Sequence, residues 1–251
     1  MGKALDSGAA RELALFARGV VFRYPRGWEL GPVDVVARGG EVTALVGPNG
    51  AGKTTLLPLL AGLLVPEVGE VGLVGVRSRW ELVRSVAWVP ADPAFPVGAT
   101  VQDLVRWHAA VNQLDHTSAL REELAETLGG RLGRKPVELS RGQRMILALQ
   151  LALWSQAQAI LCDEPWSALD PVSRELLLAK LRAVAEAGKV VLVASHDLLA
   201  LPRLAGRYVF LAAGRVRWSG GPEEVPRPGG SADLPSALLS LYQHVISEVA
   251  Q

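Results

Sequence analysis

The chain has 251 residues, enough for one large domain with a full apolar core. Its 26 Lys and Arg against 25 Asp and Glu leave a net charge of +1, which excludes the polycationic surface of a general nucleic-acid binder, so no nucleic-acid partner is expected. Hydrophobic residues make up 49% and the mean hydropathy is +0.24, high enough that a membrane span must be tested for, but the longest apolar runs, residues 56–65 and 145–154, fall short of the roughly 18 residues that a crossing helix needs.

The N-terminal stretch carries acidic residues and no apolar centre, so it does not read as a signal peptide. A single cysteine, Cys162, lies in an apolar run and reads as a buried strand residue in a reducing compartment. Residues 13–24 and 28–37 are short apolar segments mixed with Arg and Gly and broken by Pro25, Gly27, Gly31 and Pro32, which predicts an N-terminal antiparallel subdomain. The next stretch, residues 41–55, reads E-V-T-A-L-V-G-P-N-G-A-G-K-T-T: an apolar strand, a glycine-rich turn and a helix start.

Gly47, Gly52, Lys53 and Thr54 fall in the spacing G-x-x-x-x-G-K-[ST], a loop that cradles nucleotide phosphates. Gly47, Gly50 and Gly52 let successive backbone N–H groups converge on phosphate oxygens where a Cβ would intrude. The helix that follows adds its unpaired N–H groups and positive dipole end. The predicted cradle comprises Gly47, Pro48, Asn49, Gly50, Ala51, Gly52, Lys53, Thr54 and Thr55, with Lys53 a point charge for the outer phosphates and the Thr54 hydroxyl a hard oxygen ligand for Mg²⁺.

The helix from residue 52 is apolar nearly all round, through Leu64, as expected of one packed on a sheet, and Pro58 within it predicts a bend. A strand over 69–76, a short helix over 80–84 and a buried strand over 86–89 follow. Residues 91–139 change character. Two helical stretches, 101–112 and 117–128, the first with a capping box at Thr100 and Asp103, predict an inserted helical lobe. A long helix over 141–158, a strand over 159–162, a helix over 171–187, a strand over 190–194, a helix over 197–204 and strands over 208–211 and 216–218 complete an alternating β and α pattern. Pro and Gly crowd residues 220–230, a linker, and beyond it Leu238, Leu241, Tyr242, Val245 and Val249 recur at helical spacing, which predicts a short helix docking back. The reading divides the chain into a main domain, residues 1–220, and a linker with a docking helix, residues 221–251.

A phosphate-cradling loop needs an acidic partner for its metal at the end of another strand. Ile160-Leu161-Cys162-Asp163-Glu164-Pro165 supplies one. Side chains alternate along a strand, so Asp163 and Glu164 can serve one site only where the strand ends, as Pro165 predicts. Asp163 is then a direct or indirect Mg²⁺ partner, and Glu164 can polarise an attacking water.

With these residues in place the chain resembles the ATP-binding-cassette ATPases. Leu139-Ser140-Arg141-Gly142-Gln143 resembles the family's signature sequence; Ser167-Ala168-Leu169-Asp170 resembles its D-loop; Ser195-His196-Asp197 resembles its switch-histidine loop. Tyr24 resembles the aromatic that stacks on adenine. The motifs occur in order and cover residues 13–218. The resemblance implies an α/β fold with a P-loop (RecA-like) core, an N-terminal antiparallel β subdomain and an inserted α-helical subdomain. It also implies that two such subunits sandwich two ATP molecules with Mg²⁺. Ser140, Gly142 and Gln143 would then meet the nucleotide of the opposite subunit, and Asp170 of the D-loop is a further nucleotide-binding candidate; Glu164 would act on the water and His196 would hold the γ-phosphate. One departure stands out. The family places a glutamine that contacts Mg²⁺ and links to the transport partner after the strand over 86–89, where this chain has Ala91 and then Asp92, so Asp92, a water or weakened metal coupling takes its place.

The implied partners are a second nucleotide-binding domain, identical or paralogous, and a separate transmembrane permease. The chain would then sit in the cytoplasm, peripheral on the inner face of the cell membrane. The branch with long coiled coils is excluded by the short insert, and the two-cassette translation factors by the single cassette. The length and the terminal helix look most like the ATPase of a bacterial exporter. The rival is a soluble ATPase of iron-sulfur cluster assembly.

Overall fold

A computed structural model describes residues 12–25, 27–114, 118–227 and 233–249, with side chains to residue 247. The stretch read as lacking a signal peptide and the end of the Pro/Gly linker lie outside the described residues. The fold is α/β, with two sheets and flanking helices.

The first sheet is antiparallel. Strands β1 (Ala14–Arg23) and β2 (Glu29–Arg38) form the expected hairpin, and β4 (Val68–Leu73) returns after the glycine-rich loop and its helix to pair with the far edge of β1, giving the order β2-β1-β4. The second sheet has the order β5-β6-β7-β3-β8-β9 over β3 (Val42–Val46), β5 (Val86–Val89), β6 (Ala159–Asp163), β7 (Val190–Ser195), β8 (Arg207–Ala212) and β9 (Arg215–Gly220). It is parallel except for β9, which runs antiparallel to β8 at the edge.

The central strands β3, β6 and β7 are buried at every residue, because both faces of the sheet are covered. Their side chains alternate between two cores. Val42, Ala44, Val46, Ile160, Cys162, Val191 and Val193 face one, with α5 (Arg141–Leu153), α6 (Pro171–Glu186) and α7 (Leu234–Val249) packed over them. Leu45, Leu161, Leu192 and Ala194 face the other, which is filled by α1 (Lys53–Leu60) and the inner face of the first sheet. Cys162 is wholly buried, and burial, with Asp163 beside it, pushes its thiol up to about 12. A third apolar cluster gathers Val101, Leu104, Val105, Leu120 and Leu124 of α3 (Val101–Asn112) and α4 (Ser118–Thr127) with Leu147 of α5. The capping box at Thr100 forms as expected: its Oγ1 accepts from the Asp103 N–H, while the Asp103 carboxylate accepts from the Thr100 N–H.

Four expectations need correction. The segment 197–204 is not a helix but a turn followed by a single 3₁₀ turn, Leu201–Arg203: Asp197 accepts from the N–H groups of Leu199 and Ala200 as a helix cap does, but Pro202 has no N–H to carry on an α-helical ladder. Helix α5 stops at Leu153 although neither Gly nor Pro follows at once: the Ser155 hydroxyl donates to the Ala152 carbonyl and closes the turn. Helix α1 ends at Leu60, one turn short, and the Pro58 carbonyl accepts from the N–H groups of Leu63 and Leu64. The terminal helix α7 is not short but runs for 16 residues, burying Ala237, Leu238, Leu241 and Val245. Among the described residues no helix is long and apolar enough to cross a membrane.

Candidate active site

Register brings the motifs together. β7 lies between β3 and β6, with Val46 opposite Ser195 and Asp163 opposite Ala194. Gly47, Glu164 and His196, each one residue past its strand, therefore emerge at the same edge of the sheet, where ligands bind in open parallel sheets. A cleft of about 560 Å³ opens there, lined by the loop from Asn49 to Thr55, by Asp163 and Glu164, and by Tyr24, Trp28 and Ala91.

The loop needs glycine for more than reach. A Cβ on Gly47 would fall 2.1 Å from the Leu211 carbonyl oxygen, so the loop rests directly on the backbone of β8. Helix α1 begins at Gly52 with no side-chain cap, which leaves its first N–H groups to point into the cleft at an anion. Lys53 Nζ donates to the Gly47 carbonyl at 2.6 Å and to the Pro48 carbonyl at 3.1 Å. Burial pushes its ammonium below the ordinary lysine value, while Glu164 and Asp163 pull it back.

Tyr24 stands at the cleft wall, with its hydroxyl 3.3 Å from Thr55 Oγ1 and its ring edge-on to Phe22 at 5.0 Å. Trp28, 6.0 Å away, makes a second aromatic wall that sequence reasoning missed. The turn after β1 carries it there: the Tyr24 N–H donates to the Trp28 carbonyl, so an aromatic four residues past a strand-end aromatic was the available signal.

The metal-ligand expectation fits the donors present. Thr54 Oγ1 donates to Asp163 Oδ2 at 2.8 Å, two hard oxygens at the cradle's inner end. Burial pushes the Asp163 carboxyl above its usual range; the Thr54 hydrogen bond and Lys53 pull it down, and Glu164 pushes it up. A divalent cation between these oxygens would relieve that strain. Among the described residues no three His, Cys, Asp or Glu side chains converge on a metal site, so phosphate and water would have to complete the coordination of a Mg²⁺ held by Thr54 and Asp163.

Glu164 adopts φ 47°, a left-handed conformation that a side chain with a Cβ rarely takes. The turn swings its carboxylate across to the end of β7, where Oε2 accepts from the Ser195 hydroxyl at 2.9 Å. Oε1 accepts from the His196 N–H at 3.0 Å and from its ring Nδ1 at 2.6 Å. The carboxylate is largely buried and the imidazole half exposed.

The remaining predicted residues lie outside this cleft. Ser140 caps α5 and accepts from the Gln143 N–H, while the Gln143 side-chain oxygen accepts from the Ser140 N–H and from Arg131. A Cβ on Gly142 would fall 2.5 Å from the Ala168 carbonyl oxygen, so the signature segment packs tightly on the segment leading to Asp170. Asp170 caps α6, accepting from the N–H groups of Val172 and Ser173 and from the Ser173 hydroxyl. Ala91 lines the cleft, and Asp92 next to it is exposed, with its carboxylate 3.7 Å from Arg144.

The family model described as ABC transporter matches residues 30–167. The hemin import ATP-binding protein HmuV of Streptomyces coelicolor is 36% identical over 222 residues, covering 84% of this chain and 79% of that protein. The sulfate/thiosulfate import ATP-binding protein CysA of Mycolicibacterium paratuberculosis is 36% identical over 229 residues, 88% of this chain and 63% of its own length. A solved ATP-binding subunit of an ABC transporter superposes with a TM-score of 0.80 at 26% identity, over 90% of this chain and 98% of that one. The chain belongs to the ABC transporter family as one of its ATP-binding, ATP-hydrolysing subunits.

Proposed function

We propose that this subunit hydrolyses Mg²⁺-bound ATP at a seam shared with a second nucleotide-binding subunit, and so drives import through a separate transmembrane permease. The observation that carries the reading is the convergence at one sheet edge of the Thr54–Asp163 oxygen pair and the Glu164–His196 pair. The backbone N–H groups of the loop and Lys53 hold the phosphates, and Tyr24 and Trp28 offer faces to the adenine. Thr54 and Asp163 would hold Mg²⁺, which would supply neutralisation of charge on the outer phosphates. A carboxylate has about four lone-pair sites, and His196 takes both of those on Oε1, so Oε2, shared only with Ser195, is the atom left to take a proton from water. With Nδ1 donating to Glu164, Nε2 is the nitrogen left for the γ-phosphate. Ser140, Gly142, Gln143 and Asp170, placed away from the cleft, are assigned to the partner's nucleotide.

Import is proposed because the two relatives described above are importers by name; the exporter type expected from chain length finds no support in them. The permease is proposed to dock on the groove between residues 93–99 and Lys135, Pro136 and Val137. Tagged chain purified from detergent-solubilised membranes is expected to bring down a polytopic membrane protein. Recovery of a soluble iron-sulfur assembly partner in its place would favour the rival reading.

Ala91 leaves room where the family's glutamine would stand. Ala91→Gln is expected to lower the Mg²⁺ concentration needed for half-maximal ATPase activity by about 10-fold, since outer-shell partners carry effects of that size. An unchanged Mg²⁺ titration would show the position to be silent.

A further inference from the structure

Beyond the hydrolytic pair lies a side chain that the reaction does not touch but that holds both of the pair's neighbours. Arg174 sits in the first turn of α6, its N–H donating to the Asp170 carbonyl. Its guanidinium Nη2 donates to Asp197 Oδ2 at 2.5 Å. The other oxygen of Asp197 accepts the N–H groups of Leu199 and Ala200, so this one carboxylate both closes the turn after His196 and ties it to α6. Asp197 is also linked back to the pair, because its N–H donates to Ser195 Oγ, which in turn donates to Glu164. The guanidinium also lies 5.8 Å from the Trp166 ring, two residues past Glu164. Trp166 is buried, and among the described residues no acceptor meets its indole N–H, so packing and Arg174 alone hold it.

We infer that Arg174 is a positioning residue for ATP hydrolysis, fixing His196 and Glu164 against each other by clamping Asp197 on one side and Trp166 on the other, and coupling both to the helix that Asp170 caps. The inference rests on the assignment of Glu164 and His196 as the hydrolytic pair. The clamp is anchored on both sides: Arg174 and Asp197 are each about two-thirds or more shielded from solvent. Burial pushes the Asp197 carboxyl up, but the two backbone donors and Arg174 together hold it below the ordinary carboxylate range, so it meets the guanidinium as an anion. Lysine at 174 could restore the charge opposite Asp197 but neither the planar fork nor the ring contact.

The test is steady-state ATPase of the full chain beside ATP binding. Arg174→Ala is expected to lower kcat by about 10-fold through misplacement of the pair, while the Kd for ATP stays within about 2-fold. Arg174→Lys is expected to recover part of the rate. Asp197→Asn should slow turnover alone but add little to Arg174→Ala in the double variant, because both break one clamp. The readout that needs no turnover is the imidazole resonance of His196 in histidine-labelled protein, assigned with His196→Gln; it should shift in Arg174→Ala. Parental kcat with an unmoved resonance in Arg174→Ala, or losses that multiply in the double variant, would overturn the inference. If Arg174→Ala does not fold, Arg174→Lys and Asp197→Asn carry the same comparison. Glu164→Gln run alongside separates the two failures: continued hydrolysis there sinks the assignment of the pair, whereas a dead Glu164→Gln with an untroubled Arg174→Ala sinks the clamp alone.

Discussion

Glu164→Gln is expected to cut kcat by roughly 10²- to 10⁴-fold, the range for losing a positioned general base. The substitution keeps the shape of the side chain, so the fall reads on chemistry. The amide oxygen can still accept from His196, and the amide nitrogen, in the place of Oε2, can donate to the Ser195 hydroxyl, which already accepts from the Asp197 N–H and has a second lone pair. What vanishes is the basic lone pair facing the cleft. ATP binding should survive, so the variant should hold nucleotide and accumulate as a dimer, read by size exclusion with and without ATP. Turnover equal to the parent's would remove Glu164 from the mechanism.

Lys53→Ala should act on binding itself. The ammonium is held over the cleft by two loop carbonyls, and burial already strains it, so an anion arriving there gains a charge-assisted partner that is placed in advance. Losing one such contact costs about 1.5–3 kcal/mol, or roughly 10- to 150-fold in the Kd for ATP. The consequence is visible without kinetics. Ligand at 100 times its Kd stabilises the folded state by about 2.7 kcal/mol, so the rise in Tm that such a concentration of ATP gives the parent should fall by about half at the low end of that range and nearly vanish at the high end. A variant that keeps the full shift would mean that Lys53 serves its own loop and not the phosphates.

The parts of the molecule legible in the sequence were those fixed by local chemistry. The glycine-rich loop carries its own backbone demands, and β6 ends where two adjacent acids and a proline say it must. Strand β5 and helix α3, with its Thr100 box, fall at the expected residues, because buried runs and caps are written in neighbouring side chains. What escaped were outcomes decided across the fold. Asp197 reads as the start of a helix, and it does accept from Leu199 and Ala200 as a cap would, but Pro202 stops the ladder and Arg174 ties the carboxylate to α6. Trp28 reads as a strand residue until the turn after β1 lays it beside Tyr24. The pairing of β4 with β1, across the P-loop, leaves no short-range trace.

The burial of Cys162 has a practical side. Its sulfur lies in the middle of a central strand, with a thiol that is almost never ionised near neutral pH, so alkylating reagents find nothing to react with while the chain is folded. The native protein therefore behaves as a cysteine-free background. A spin label or fluorophore on a thiol introduced at the surface would report from that place alone, and the slow appearance of a second reactive sulfur would time the opening of the core.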